Sequence, residues 1–195
     1  MLNSLSNPKT TNYKSLKEYI FSDTFAWVHY EQSTPIDAIE NCDEIFKYKR
    51  TGFDSDQHGN VPYYVRTYLK RPESDSYPKL AHASSQETDS VITVINEILK
   101  ANEIEISTFL RISINAVPPC KDITYSLPHL DHQCPHGNLL IYFTDAGGRT
   151  FVQDDETLKY HDYTPKEDDA IIFTGRHFME TPSENRRVIL VATFV

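Results

Sequence analysis

The amino-acid sequence predicts a mainly β domain with flanking helices: a double-stranded β-helix, or jelly roll, with N-terminal helices packed on one sheet. Tyr and Phe are abundant, 12 and 10 of 195 residues, and such side chains favour strands. Helical patterns come first, and from residue 105 onward short strand-like segments follow one another between turn residues. That order is typical of two packed sheets buttressed by helices.

Two segments have helical periodicity. Apolar residues at helical spacing predict a short helix over 13–21, capped by Thr11 or Asn12, and a wide apolar stripe predicts a longer helix over 89–102. Residues 1–11 are polar, and we expect them to form a flexible lead-in. A single domain is therefore predicted over 12–195, with its catalytic core at about 105–195.

Strand-like segments lie on both sides of the longer helix. The last one, 187–195, is apolar on both faces, which predicts a strand buried on both sides. The others are predicted at 25–30, 61–69, 105–116, 138–144, 149–153, 158–163 and 170–174.

Composition restricts the class of function. The net charge of −9 disfavours a protein that coats nucleic acid through its phosphates. A local basic groove is the weaker alternative, formed by Lys47, Lys49, Arg50, Arg66, Lys70 and Arg71. Three cysteines without paired spacing are typical of a reducing compartment. Because no signal peptide or membrane-length apolar run is visible, we expect a cytoplasmic protein with no membrane partner.

The candidate metal ligands are His129, Asp131 and the distant His177. Two residues apart on a strand, His129 and Asp131 would project from the same face, and the apolar strand before His177 would bring it back across the barrel. Two imidazoles and one carboxylate form the set that holds non-haem Fe(II) on one side and leaves the other side open. A zinc site formed by His129, Asp131, His132 and His136, which would leave His177 without a role, is an alternative.

Arg187, at the start of the last strand, needs an anionic partner. Its planar guanidinium suits a carboxylate, either that of a keto-acid cosubstrate or that of an ordinary ion pair. Arg186 competes for the same role, because a one-residue error in register would exchange the two side chains.

A family resemblance rests on these motifs. The segments PHLDHQCPHGNLLIYFTDAGGRTFV and YTPKEDDAIIFTGRHFMETPSENRRVILVATFV resemble the catalytic core of Fe(II)/2-oxoglutarate-dependent oxygenases. Within that family they are most similar to the prolyl-4-hydroxylase-like branch, especially to small members encoded by tailed phages. The stretch YKSLKEYIFSDTFAW is similar to the N-terminal part of those phage proteins.

The resemblance implies a dioxygenase that uses Fe(II), 2-oxoglutarate and O₂ to hydroxylate a C–H bond, with release of succinate and CO₂. It implies His129, Asp131 and His177 as iron ligands and Arg187 as the anchor of the 2-oxoglutarate C5 carboxylate. Tyr142 falls where the family often has a tyrosine that bonds the same carboxylate, and a purely structural core tyrosine is the alternative.

Substrate and activity stay open in part. The resemblance favours peptidyl proline in a protein or peptide, with a small molecule or a nucleobase as alternatives. Loops around residues 50–86 would form a lid over the substrate. A non-catalytic jelly-roll module that keeps its metal site is the alternative function.

Two positions depart from the family pattern. The turn before the strand leading to His177 has Glu167, Asp168 and Asp169 where the family usually has a glycine. Tyr125 lies four residues before His129 rather than three. Neither departure removes a proposed ligand.

Overall fold

The computed structural model describes residues 2–31, 58–71, 85–154 and 156–195. Its helices are α1, Thr11–Ile20, and α2, Ser85–Ala101. Its strands are β1 Leu2–Leu5, β2 Val28–Tyr30, β3 His58–Gly59, β4 Tyr63–Leu69, β5 Phe109–Val117, β6 Tyr125–Ser126, β7 Gly137–Tyr142, β8 Thr150–Gln153, β9 Tyr160–Tyr163, β10 Ala170–Thr174, β11 His177–Met179 and β12 Arg187–Phe194. Outside the described residues lie Cys42, most of the predicted lid, and Lys47, Lys49 and Arg50 of the predicted basic groove.

The described strands form one large and two small sheets. The large sheet is antiparallel, with seven strands in the order β1-β10-β7-β12-β5-β4-β2. A second sheet has the order β11-β8-β9, and β3 pairs with β6 in parallel. A mainly β chain with a large antiparallel sheet and few helices is consistent with the predicted jelly roll.

The helices and one face of the large sheet share a hydrophobic core. Thr10 caps α1, since its hydroxyl oxygen accepts a hydrogen bond from the backbone N–H of Tyr13 at 3.1 Å. The residues of this core from α1, α2 and the sheet include Tyr13, Leu16, Ile20, Val91, Ile95, Ile98, Ile112, Ile114 and Leu190. Neither helix of the described ranges has the length and apolar character needed to cross a membrane.

The opposite face of the large sheet looks towards the second sheet. Leu140, Ile171, Ile189 and Val191 form a smaller core there with Val152 of β8. The prediction of a strand buried on both sides is confirmed for β12, which lies between β7 and β5 and has only Phe194 less than fully buried.

The N-terminus does not match its predicted flexibility. Residues 2–5 form strand β1, which pairs with β10 at the edge of the large sheet. The side-chain carbonyl of Asn102 accepts a bond from the Ser6 N–H, and the Asn102 amide donates to the Ser6 carbonyl, both at 2.8 Å. The expectation for 1–11 was wrong for these residues because β10 offers an unpaired strand edge, which no local pattern reveals.

The short strands β3, β6 and β11 were also missed, because two or three residues carry too little periodicity to be recognised. The longer elements were found with ends that differ by a few residues. For example, α2 begins at Ser85 rather than at Asp89, and β4 begins at Tyr63 rather than at Val61.

Charged side chains stabilise the turn before β10, at the position where the family that the sequence resembles usually has a glycine. Asp168 has φ 71°, in the left-handed region that Asp tolerates better than most residues. Its carboxylate accepts hydrogen bonds from the Tyr13 hydroxyl at 2.7 Å and from the Lys17 ammonium at 2.5 Å. Burial by itself raises the pKa of Asp168, but these bonds and the one from Lys9 bring it down to about 2. The turn is thereby tied to α1.

We expect Asp168→Ala to lower the free energy of unfolding by about 2 kcal/mol, because the buried Tyr13 hydroxyl loses its acceptor and Lys17 loses an ion pair. The matched control is Asp162→Ala, which removes a surface pair with Arg149 and should cost about 0.5 kcal/mol or less. Urea unfolding at pH 7 measures both changes. Equal losses in the two variants would contradict the structural role of Asp168.

Candidate metal centre and its cavity

Two histidines from distant parts of the chain are joined through their backbones. The N–H of His129 donates to the carbonyl of His177 and the N–H of His177 donates to the carbonyl of His129, each at 3.0 Å. The two ring centroids lie 4.7 Å apart. The bridge therefore sets the spacing of the two imidazoles before any metal is bound.

Asp131 completes the cluster. One ligand atom from each of His129, Asp131 and His177 lies within 4.8 Å of the others, a spacing that can hold a metal ion. The Asp131 Oδ2 lies 3.5 Å from the His177 Nε2. The strand geometry expected for His129 and Asp131 was wrong, since only His129 makes a β-bridge and Asp131 lies in a bend. The pairing with His177, rather than strand alternation, brings the side chains together.

The protonation states suit metal ligands. Burial lowers the pKa of His129, and burial followed by the neighbouring His129 lowers the pKa of His177 to about 3. At neutral pH both rings are therefore neutral and have a lone pair to offer. Burial by itself would raise the pKa of Asp131, but the charges of Arg111 and Arg71 hold it well below its usual range. The carboxylate is therefore ionised.

The two arginines contact the same carboxylate oxygen. Arg71 Nη2 donates to Asp131 Oδ1 at 2.6 Å, and Arg111 Nη1 donates to it at 2.8 Å. The Asp131 side chain is only 2% exposed, so this pairing offsets the cost of burying its charge. With Oδ1 occupied, Oδ2 is the oxygen that faces His177.

Arg187 lies in the same cavity as the three candidate ligands and is buried. Its Nη2 donates to the Thr150 hydroxyl at 2.8 Å, and its Nη1 lies 2.7 Å from the Met179 sulfur. Its Nε is buried and has no hydrogen-bond partner. Among the described residues no carboxylate forms an ion pair with it. Burial lowers the pKa of Arg187, as expected for a cation without an anionic partner.

Tyr142 lies directly beside Arg187. Its hydroxyl bonds the Thr150 hydroxyl at 2.8 Å, and the guanidinium carbon of Arg187 lies 5.3 Å from the centre of its ring. Tyr142 is fully buried, and the Thr150 hydroxyl bonds both its hydroxyl and the Arg187 guanidinium. Any contact from Tyr142 to a bound carboxylate stays a prediction.

The residues that the sequence offered as alternatives for the anchor and for the metal site make other contacts. Arg186 is exposed and stacks over the ring of Tyr64 at 5.4 Å. His132 bonds the Thr193 hydroxyl through Nε2 at 2.7 Å, and His136 bonds the Cys134 carbonyl through Nδ1 at 2.8 Å. Within the described ranges, the group of residues spaced to hold a metal includes neither histidine. The alternative zinc site is therefore not formed.

Tyr125, whose role the sequence left open, packs its ring against Phe151 and Phe178. These contacts place Tyr125 in an aromatic cluster.

A cavity of about 100 Å³ joins the candidate ligands to Arg187. Its walls are largely apolar, with Val117, Leu140, Ile189 and Val191 among the lining residues. Sequence reasoning missed Arg71, Arg111, Thr150 and Met179, which also line it. No short motif marks them, since each reaches the cavity through long-range pairing.

No protein-family model matches the chain, and a comparison with curated proteins finds no match. Among solved structures the chain is similar to an oxidoreductase of the 2OG-Fe(II) oxygenase family from Burkholderia pseudomallei. The TM-score is 0.54 at 14% identity, covering 93% of this chain and 90% of that chain. At this identity the similarity shows a shared fold.

Two further structures are less similar. The non-heme alpha-ketoglutarate-dependent epimerase from nogalamycin biosynthesis has a TM-score of 0.48 at 11% identity, over 93% of this chain and 81% of that one. A prolyl hydroxylase from Trichoplax adhaerens, in complex with a hypoxia inducible factor peptide fragment, has a TM-score of 0.46 at 10% identity, over 93% and 87% of the two chains. At these identities the similarities do not define a function, and the residues of the site carry that information.

We expect the metal-free protein to bind Mn(II) and to gain stability from it, by about 2.7 kcal/mol at a hundredfold excess over the dissociation constant. His129→Ala should abolish this gain, because one of three ligands is lost. His136→Ala is the matched control and should keep it. Thermal unfolding with and without Mn(II) measures the effect, and a loss of the gain in His136→Ala would favour the alternative site.

Proposed function

We propose that the protein is an Fe(II)- and 2-oxoglutarate-dependent dioxygenase that hydroxylates a C–H bond of its substrate. The observation that carries the proposal is one cavity with two features: a His-Asp-His cluster spaced for a metal and a buried Arg187 that lacks a carboxylate partner among the described residues. The shared fold with a 2OG-Fe(II) oxygenase family member supports it.

The donor set fits iron. His129, Asp131 and His177 offer two neutral imidazoles and one ionised carboxylate, the combination that binds non-haem Fe(II) and leaves positions open. No cysteine of the described ranges belongs to this cluster, and Cys134 is exposed. A thiolate-rich zinc site is therefore disfavoured.

The cavity also fits a dicarboxylic keto acid. The unpaired Nε of Arg187, with Thr150 at its side, would receive the C5 carboxylate. The apolar side chains of Leu140 and Ile189 would contact the methylene groups between the two ends. The keto and C1 carboxylate oxygens would then point towards the metal ligands.

Each residue has a defined task in the reaction. When bound, Fe(II), 2-oxoglutarate and O₂ would supply the oxidative chemistry that forms succinate, CO₂ and a hydroxylated product. Arg187 would orient the cosubstrate, and the apolar walls would exclude water from the reacting end. Arg71 and Arg111 would keep Asp131 ionised and leave its Oδ2 free to bind the metal.

The finer assignments come from the sequence, by the family resemblance for the substrate and relatives and by the lack of a visible signal peptide for the location. Peptidyl proline is the favoured substrate, the phage-encoded members are the expected relatives, and the cytoplasm is the expected location. Tyr142 would assist Arg187 through Thr150. The alternative of a non-catalytic module that keeps its metal site predicts metal binding without succinate formation.

Anaerobic addition of Fe(II) and 2-oxoglutarate should produce a visible charge-transfer absorption band, and admission of O₂ should produce succinate. His177→Ala should lose both, because one of three ligands is missing, while His136→Ala should retain both. A wild-type protein that binds Fe(II) but gives neither the band nor succinate would support the non-catalytic module instead.

Arg187→Met keeps an unbranched apolar side chain similar to the stem of arginine but removes the guanidinium and its charge. We expect the KM for 2-oxoglutarate to rise about 30-fold or more, equivalent to about 2 kcal/mol for a buried charge pair, while the affinity for Mn(II) stays within about twofold. Arg186→Gln, which removes an exposed arginine, should leave both constants unchanged. A reversed outcome, with only Arg186→Gln affected, would assign the anchor to Arg186.

A further inference from the structure

The cavity has an arginine at each end. On β12, Arg187 pairs with Val117 of β5 and Thr193 pairs with Arg111. These two residue pairs are six positions apart along β12, or about 20 Å at roughly 3.3 Å per residue. Arg187 and Arg111 nonetheless line the same cavity, because both side chains extend into it from the same face of the sheet.

The candidate metal ligands lie between these two ends. Arg187 contacts Met179 of β11, and His177 is two residues earlier on that strand. Asp131, which is 3.5 Å from His177, contacts Arg111. The proposed cosubstrate would occupy the space between Arg187 and the candidate ligands, and Arg111, which contacts Asp131, would lie beyond those ligands.

Arg111 has unused hydrogen-bonding capacity. Only its Nη1 is engaged by Asp131, and that contact is to an oxygen already bonded by Arg71. A guanidinium has five N–H donors, and the described residues supply no other acceptor to Arg111. Its side chain is 14% exposed, so its free edge is accessible from the cavity.

A loaded site would carry excess positive charge beside Asp131. Asp131 and the C1 carboxylate of the keto acid would match the two charges of Fe(II), and the C5 carboxylate would match Arg187. Arg71 and Arg111 would then share only the one carboxylate that both already contact. Asp131 is the only carboxylate among the described residues that line the cavity. A largely buried cation is costly without an anionic partner, and a guanidinium pairs best with a planar anion such as a carboxylate.

We propose that the substrate carries a carboxylate and that Arg111 binds it through its free edge, at the end of the cavity away from Arg187. This inference rests on the proposed function and names the substrate class of the same site. The carboxylate belongs either to a free amino acid or to an acidic side chain of a peptide. Arg111 is then the residue that determines substrate specificity.

The test uses the full-length protein loaded anaerobically with Fe(II) and 2-oxoglutarate. The probes are free L-amino acids, each compared with its carboxamide, and short proline-containing peptides with Glu, each compared with the same peptide with Gln. Perturbation of the charge-transfer band reports binding, and calorimetry on the Mn(II)-loaded protein gives the affinities. We expect a carboxylate probe from one of the two sets to bind at least tenfold more tightly than its amide.

The variants separate this role from the contact with Asp131. In Arg111→Gln loaded with Fe(II) and 2-oxoglutarate, the preference for acid over amide should fall below threefold. Because acid and amide are compared on the same variant, the lost contact with Asp131 affects both probes and does not change their ratio. Arg111→Lys keeps the charge and should retain part of the preference. Arg186→Gln removes the same charge from the surface and should retain all of it.

The outcomes are distinct. Absence of the band in the wild-type protein would overturn the proposed function and this inference with it. A normal band with no carboxylate probe bound, with equal binding of acids and amides, or with an acid preference that survives in Arg111→Gln, would overturn this inference alone.

Discussion

The site depends on one pair of reciprocal backbone hydrogen bonds, those between His129 and His177. They join the segment after β6 to strand β11, two parts of the chain that are far apart in sequence. Closing so long a loop costs conformational entropy, which the packing of the surrounding sheets must offset. Because the bond is between backbones, the imidazoles are placed together whether or not a metal is present.

Charge compensation determines the rest of the site. Asp131 can stay ionised in a buried position because Arg71 and Arg111 donate to it. Arg187 has no such partner among the described residues, and its buried Nε is unsatisfied. The charge of Asp131 is thus balanced within the protein, whereas the charge of Arg187 is not balanced by any described carboxylate. This asymmetry distinguishes the two ends of the cavity, and in the function we propose the cosubstrate would bind at the Arg187 end.

Local patterns predicted most of the scaffold. The apolar stripes of α1 and α2 and the two-sided apolar character of β12 are readable from periodicity, because those elements bury whole faces. Strands β1, β3, β6 and β11 were not predicted, since each forms only through a partner strand supplied from elsewhere in the fold. The same limit explains why Arg111, within a correctly predicted strand, was not recognised as a residue of the cavity.

By itself the sequence determined the chemical types at the site: a His-x-Asp motif, a distant histidine and an arginine opening the last strand. Their identities restrict the metal and the cosubstrate because ligand chemistry is a property of side chains. Only the tertiary structure decided that Arg187 rather than Arg186 enters the cavity, and that Arg71 and Arg111 meet at Asp131. Those outcomes depend on strand register and long-range pairing. A shift of one residue in register moves every side chain of a strand to the opposite face of the sheet.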